Sequence, residues 1–348
     1  MLGVPHSFQT AIIALALALT AAAPQDAPVE TMKAVRIRDY GGVDVLTYES
    51  APKPTPGDGD LLVRVHAAGV NPVDDKIRDG LLKAFVKAPM PLILGWDVAG
   101  VVESAGKSVT RFKSGDAIFA YMDLKRSGAY AEYAIVRESE ACAKPGNLTF
   151  VEAASVPLAA TTAWQALVDT AKLEKGQTVL IHGAAGGVGT FAVQIARARG
   201  ARVIGTASAT SIHFLRDLGV DEAIDYSATR FEDVVKDVDV VLDPIGGDTQ
   251  ARSFGVLKKG GILVSIVEPP DQAVAKEKGV RAAIFLAHPD AVELAEIAKL
   301  IEAGKIKPVV SRVYPLEDAR KAHEQIRTHH TRGKLVLEVV PEAPAKPK

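Results

Sequence analysis

Between Lys33 and Lys144 the apolar residues come in short runs separated by Gly and Pro: KAVRIR from Lys33, DLLVRVHAAGV from Asp60, VAGVVESAG from Val98 and AYAEYAIV from Ala129. Alternation of period two is the mark of a half-buried strand, so this stretch predicts a mostly β domain. The run from Pro52 to Gly59 holds three prolines; because Pro fixes φ and lacks an N–H, it predicts a connecting loop. From Phe150 the pattern changes. Strands predicted over Thr178–His182, Ala201–Thr206, Ala223–Asp225, Val238–Leu242 and Ile262–Ile266 alternate with helical stretches, the order of a parallel sheet covered by helices. Ala291–Ala303 carries an apolar stripe at helical spacing and stops at Gly304, where a C-terminal glycine suits a helix end. A strand, a helix and a strand complete the pattern.

The first residues differ from all of this. Ala11–Leu19 reads AIIALALAL, followed by small residues and Pro24. That run is short for about 30 Å of hydrocarbon and resembles a signal peptide, although no Lys or Arg precedes it. Residues 1–31 are therefore expected to be a leader and linker. The alternative is a cytoplasmic protein starting at Met32, whose sequence MKAVRIRDYGG has the character of a natural N-terminus. No stable membrane span is expected.

Composition narrows the function. The chain has 348 residues, 48% of them hydrophobic and 24% charged, enough for two domains with large cores and too polar for a polytopic membrane protein. Lys and Arg number 41 against 42 Asp and Glu, a net charge of -1. No basic field exists for nucleic acid. Cys142 is the single cysteine, so an intramolecular disulfide and a multi-cysteine zinc site are both excluded. With no His or basic neighbour, Cys142 reads as a small apolar filler. The adjacent His329 and His330 lack a third His at helical or hairpin spacing and are assigned no metal.

The most informative segment runs from Thr178 to Ser208: a buried strand, the turn HGAAGGVG, an apolar-faced helix, Gly200, and a second strand. Gly186 and Gly189 occupy the second and third glycine positions of G-x-G-x-x-G, and Ala184 stands at the first. In that arrangement Gly186 lets the backbone approach a pyrophosphate, Gly189 allows close helix packing, and the N–H groups of Ala185, Gly186, Gly187 and Val188 meet the anion. An NAD site expects Asp or Glu about 20 residues on, to bind the ribose 2′-hydroxyl. Here the place reads Gly205-Thr206-Ala207-Ser208. With no carboxylate to repel a 2′-phosphate, and with Thr206, Ser208, His213 and Tyr226 as candidate donors, the cofactor reads as NADP(H).

Several segments, in order, resemble the zinc-free medium-chain dehydrogenases/reductases, especially quinone oxidoreductases and enoyl reductases: Ala67–Arg78 (AAGVNPVDDKIR), Gly95–Gly106 (GWDVAGVVESAG), Gly115–Tyr121, Gly128–Val136, the glycine turn, and Arg332–Val339 (RGKLVLEV). The resemblance covers Met32 to Val340. It implies an α/β fold: a GroES-like, mostly β catalytic domain over 32–150, completed by 305–340, and a Rossmann doubly wound parallel sheet over 151–304, with 341–348 a tail. It also implies a homodimer made by pairing the last Rossmann strand, here Gly261–Val267, across a two-fold axis.

Zinc-dependent relatives carry Cys at the position of Asn71 and Gly-His-Glu at that of Gly95-Trp96-Asp97. Loss of those ligands removes the Lewis acid and leaves metal-independent hydride transfer. The chemistry needing least help is reduction of a quinone or an α,β-unsaturated carbonyl, in which negative charge develops on the carbonyl oxygen. The resemblance assigns Lys76 and Asn71 as catalytic donors to that oxygen. It places Thr162 (with Thr161), Ile245 and Ile266 around the nicotinamide ribose and carboxamide, and Arg332, Gly333 and Lys334 near the phosphates. Asp75 stands where relatives often have Trp, putting a charge at the pocket mouth. A second reading keeps the cofactor fold in a structural, assembly or sensing protein without turnover.

Overall fold

The computed structural model describes residues 30–341. The leader, apart from its last two residues, and the tail beyond Pro341 lie outside the described residues. The first domain opens with β1 (Thr31–Ile37), β2 (Thr47–Pro52) and β3 (Asp60–Val70), then α1 (Pro72–Arg78), β4 (Leu92–Ile93), β5 (Asp97–Ala105), β6 (Ala117–Tyr121), β7 (Tyr133–Arg137) and β8 (Ala141–Ala143). Helices α2 (Phe150–Ala154) and α3 (Pro157–Trp164) follow, α3 running on into a π-helical turn over Gln165–Thr170. The second domain holds β9 (Thr178–Ile181), α4 (Gly187–Ala198), β10 (Arg202–Ala207), α5 (Ile212–Leu218), β11 (Glu222–Asp225), α6 (Phe231–Val234), β12 (Val238–Asp243), α7 (Gly247–Ser253), β13 (Leu257–Ser265), α8 (Gln272–Lys278), β14 (Arg281–Ile284) and α9 (Ala291–Glu302). The chain then returns through β15 (Val310–Pro315), α10 (Ala319–Arg327) and β16 (Lys334–Glu338).

Strand order in the second domain is β11-β10-β9-β12-β13-β14, all parallel. Strands covered on both faces should be apolar along their middles, and in β9 and β12 Val179, Leu180, Ile181, Val240, Val241 and Leu242 are all buried, with the polar residues Thr178, Asp239 and Asp243 toward the strand ends. Helix α4 presents Phe191, Ile195 and Ala196 to the core shared with Leu294, Ile297 and Ile301 of α9. That amphipathic packing, more than propensity, stabilises such short helices. Asp290 caps α9 by accepting from the N–H groups of Val292 (2.8 Å) and Glu293 (3.0 Å). Thr149 and Glu152 form a reciprocal capping box on α2.

The first domain is a sheet in the order β15-β16-β3-β5-β6-β8, with β7 also on β3, beside the small sheet β2-β1-β4. The last strand closes it: β16 runs antiparallel to β3, with Leu335 opposite Val70. This sheet therefore joins β3, near the start of the described chain, to β16 at its end.

Three details depart from the sequence expectation. The run from Ala129 becomes a strand only at Tyr133, because Tyr130 and Glu132 instead exchange backbone bonds with Val35 and Lys33. A sixth parallel strand, β14, has no hydrophobic alternation to reveal it. And the strand expected at the dimer edge, Gly261–Val267, is internal: β13 pairs with β12 on one side and β14 on the other, so the free edge belongs to Arg281–Ile284.

Gly69 shows how tightly the corner after β3 is built. A Cβ there would lie 2.4 Å from the Ala154 carbonyl oxygen and 2.8 Å from Asp97 Cβ. Overpacking of that kind costs about 1–3 kcal/mol. Gly69→Ala is expected to lower the denaturant midpoint with an unchanged m-value; a midpoint equal to wild type would contradict this packing.

Candidate functional site

The glycine turn sits between β9 and α4. Gly183 has φ +55°, in the left-handed region that glycine enters most easily. Ala184, at the first motif position, is buried and donates its N–H to Thr206 O at 2.9 Å. A Cβ on Gly189 would fall 2.4 Å from Gly183 O and 2.7 Å from Ala184 Cα, so the start of α4 packs on the turn as the motif requires. Gly186 is different. A Cβ there would meet only Gly183 O, at 3.2 Å, so the open side of this residue is what lets a phosphate approach. Ala185, Gly187 and Val188 are partly buried around it. The cradle fits a dinucleotide pyrophosphate, with the positive end of the twelve-residue α4 behind it.

At the end of β10 the candidate 2′-phosphate donors separate into two sets. Thr206 is buried, and its hydroxyl faces inward, 3.2 Å from His182 Nδ1 and accepting from Gly183 N at 3.3 Å. His182 Nε2 lies 2.9 Å from Ser253 Oγ, and burial pulls this imidazole down to about 4, so it is a neutral strut. Thr206 is therefore a structural residue, contrary to its expected role. His213 is exposed and pairs with Asp217 at 2.9 Å. Ser208, however, stands at the open end of the strand beside Thr210 (3.2 Å), and Arg332 reaches the same place, donating to Thr210 O at 2.9 Å and stacking 5.1 Å from the Phe214 ring. Tyr226 is 56% exposed, with its N–H bonded to Ala207 O. Gly333 donates its N–H to Ala185 O at 2.8 Å, which sets Arg332 against the rim of the turn.

On the other side of the turn, Asp243 ends β12 and accepts from the N–H groups of Ile245 (3.0 Å) and Gly246 (2.9 Å), and from Gln250 Nε2 (3.0 Å). This cap projects Ile245, 56% exposed, beside Gly183, while Ile266 is held by its N–H to Asp243 O at 3.1 Å.

The expected catalytic residues lie on or before α1, in unlike surroundings. Lys76 is exposed, and among the described residues its ammonium has no partner. Asn71 is buried within a polar cluster. Its Nδ2 donates to Asp97 Oδ2 at 2.8 Å, its backbone N–H to Asp74 Oδ2 at 2.8 Å, and its Oδ1 accepts from Lys334 Nζ. Lys334 is 3% exposed and also donates to Val70 O (3.1 Å) and Asp97 Oδ2 (3.4 Å). Its ammonium is thus turned into the catalytic domain and away from the phosphate side, a correction to its expected role. Tyr130 donates to Asp74 Oδ2 at 2.7 Å. Asp75 does not charge the pocket mouth: Arg78 (2.7 Å) and Arg327 (3.1 Å) compensate it, and Arg78 meets His323 Nδ1 at 2.8 Å. Thr162 gives its hydroxyl hydrogen to Leu158 O at 2.7 Å, leaving only its lone pairs for a ligand. Cys142 is half-buried, and burial pushes its thiol up, which suits a filler.

These surroundings do not fit a catalytic zinc ion. Trp96, at the position of the imidazole ligand, is wholly buried and donates its indole N–H to Arg126 O at 3.0 Å. The space between Asn71 and Asp97 is held by the Lys334 ammonium, whose charge repels a cation.

Asp74 is wholly buried, and burial pushes its carboxyl up to about 7 against the pull of Tyr130 and the Asn71 N–H. The folded state therefore keeps this proton to higher pH than the unfolded chain, and stability falls as pH rises through about 7. Asp74→Asn, which preserves an acceptor for both donors, is expected to raise Tm relative to wild type at about pH 8.5 and to lose that advantage near pH 5. Parallel pH curves for the two proteins would contradict the buried acid.

Two family profiles match the chain: the alcohol dehydrogenase GroES-like domain over residues 57–146 and the zinc-binding dehydrogenase over residues 218–337. The NADPH-dependent alkenal/one oxidoreductase of Arabidopsis thaliana chloroplasts is 37% identical, over 98% of this chain and 86% of its own. The quinone oxidoreductase of Mus musculus is 34% identical, over 88% and 97%. Among solved structures, the quinone oxidoreductase of Coxiella burnetii superposes with a TM-score of 0.84 at 35% identity, covering 89% of this chain and all of that one. With two domains closing on a phosphate-binding turn and these relatives along almost its whole length, the chain belongs to the medium-chain dehydrogenase/reductase family.

Proposed function

We propose that the protein is an NADPH-dependent, metal-independent reductase of quinones or α,β-unsaturated carbonyls. The carrying observation is the pairing of an open phosphate cradle at Gly186 with a catalytic corner in which a lysine ammonium, Asn71 and Asp97 stand where zinc relatives keep their ligands. The alkenal/one and quinone oxidoreductases among the relatives support the same chemistry.

When bound, NADPH supplies the hydride for the electrophilic carbon of the acceptor. The chain's own task is to hold the acceptor and to meet the negative charge that appears on its carbonyl oxygen. Lys76, the uncommitted ammonium on α1, is the proposed donor to that oxygen and source of the proton. Asn71 has one amide hydrogen beyond its bond to Asp97 for the same purpose. Arg332, Ser208 and Tyr226 favour NADPH over NADH, because a guanidinium matches a phosphate in charge and shape. Leu81 and Phe85, about 70% exposed in the segment after α1, offer an apolar wall for the acceptor. A two-fold dimer built by pairing the last strand of the parallel sheet would use the free edge of β14.

The test is NADPH consumption with p-benzoquinone, phenanthrenequinone and a short enal, with NADH in parallel and EDTA present. Turnover that prefers NADPH and survives chelation is expected; tight NADPH binding with no turnover would favour the sensing or assembly reading. Arg332→Ala is expected to raise the KM for NADPH about tenfold or more while leaving that for NADH within about twofold, because one charge-assisted phosphate contact is removed. Equal effects on both cofactors would remove Arg332 from the 2′-phosphate pocket. Lys76→Ala is expected to lower kcat about a hundredfold, a usual size for general acid catalysis, and an unchanged kcat would reassign the proton to water.

A further inference from the structure

We propose that Lys334 is a positioning residue of the substrate site, a fixed buried cation that orients and polarises the Asn71 amide while locking the catalytic corner to the phosphate-binding turn. This rests on the reductase reading above and adds to it a residue whose role neither the sequence motif nor the relatives supply.

Three observations carry it. First, an ammonium has three hydrogens and no acceptor, and Lys334 Nζ has three acceptors: Val70 O at 3.1 Å, Asn71 Oδ1, and Asp97 Oδ2 at 3.4 Å. Nothing is left for a cofactor phosphate. Second, the same dipeptide touches both domains. Gly333 N–H bonds Ala185 O of the glycine turn at 2.8 Å, Lys334 N–H bonds Val309 O at 2.8 Å, and a Cβ on Gly187 would stand 3.0 Å from Lys334 Cδ. The aliphatic stem therefore runs along the first residue of α4 before its charged end enters the catalytic domain. Third, the cluster passes the constraint onward. Asp97 Oδ1 accepts the Leu158 N–H at 2.6 Å, which fixes the opening turn of α3 and with it Thr161 and Thr162.

The chemical consequence concerns Asn71. Donation from a cation into Oδ1 withdraws electrons from the amide, and donation from Nδ2 to Asp97 sets its plane. The remaining Nδ2 hydrogen becomes a stronger and better aimed donor toward a developing oxyanion, since hydrogen bonds in a chain polarise one another in a low-dielectric site. The groups facing this unit are Asp74 and Tyr130 from the α1 side, Asp97 from β5 and the Val70 carbonyl from β3.

The experiment compares wild type, Lys334→Met, Asn71→Ala and the double variants Lys334→Met/Asn71→Ala and Lys334→Met/Asp97→Asn. Tm, the NADPH dissociation constant by fluorescence, and steady-state kcat and KM on a quinone are measured for each. The expected result is a fall in kcat of about a hundredfold in Lys334→Met, the scale of losing one oxyanion donor, with NADPH affinity within about threefold. Lys334→Met in the Asn71→Ala background is expected to add less than about threefold, because the two act as a unit. If Lys334→Met leaves a lone buried carboxylate and folds poorly, Lys334→Met/Asp97→Asn removes both charges. It should then recover the wild-type Tm while kcat stays low. Recovery of kcat together with Tm would reduce Lys334 to a structural role and overturn the proposal. A large rise in the NADPH dissociation constant with kcat intact would return Lys334 to the phosphates. Absence of turnover by wild type itself would sink the reductase reading and this inference with it, whereas wild-type turnover with a fully active Lys334→Met sinks the inference alone.

Discussion

An ammonium can be buried among apolar strands only if each of its hydrogens finds an acceptor and its charge a counter-charge, because the desolvation penalty is several kcal/mol otherwise. Lys334 meets that condition with atoms from three separate elements: the end of β3, the cap of α1 and the start of β5. The close approach permitted by Gly69, the capping of α1 by Asn71 and Asp74, and the Asp97 bond to α3 all serve the same small volume. The polar cluster around Lys334 is in this sense one object.

The second domain works by a different constraint, steric rather than electrostatic. Its sheet is apolar on both faces, so the only polar exits are the strand ends, and the turn after β9 is where three backbones come within van der Waals contact. Gly189 and Gly205 are there because a methyl group would meet Ala184 or Gly183 at 2.4–2.9 Å. The Asp243 cap on the neighbouring turn and the neutral His182 strut between Thr206 and Ser253 keep the floor of the cleft rigid. A rigid cradle holds a phosphate without an ordering penalty at the moment of binding.

Much of this was legible in the sequence, and the illegible parts share a cause. Periodicity and the alternation with helical stretches revealed five of the six parallel strands, the short β11 among them; Arg281–Ile284 has no apolar run to mark it, and its pairing with β13 is what makes it a strand. Glycine spacing located the cradle because backbone conformation is a local property. Side-chain direction is not local. Thr206 and Ser208 lie two apart, and pleating would put both on one face; they separate because β10 ends at Ala207 and the chain turns away at Ser208, while the Thr206 hydroxyl meets His182. Lys334 adjoins Arg332 in a motif, yet the two charges end on opposite sides of the turn, one in solvent beside Thr210 and one beneath Asn71. The signal that existed was the run after it: a residue opening a strand that continues Leu335-Val336-Leu337 is poorly placed to reach solvent.

The pairing of β16 with β3 also bears on how the molecule assembles. The contact between Lys334 and Val70 spans 264 residues, whereas the parallel sheet of the second domain is continuous in sequence from Thr178 to Ile284. Loop closure across a span that long is slow and entropically unfavourable until the intervening chain is compact. During synthesis, the dinucleotide-binding unit can therefore form while the first-domain sheet still lacks its closing strand β16, with β3 presenting an unpaired edge along Ala67–Val70. Topology separates the two units: the parallel sheet needs no residue beyond Ile284, whereas the polar corner around Asn71 is incomplete until Lys334 has joined it.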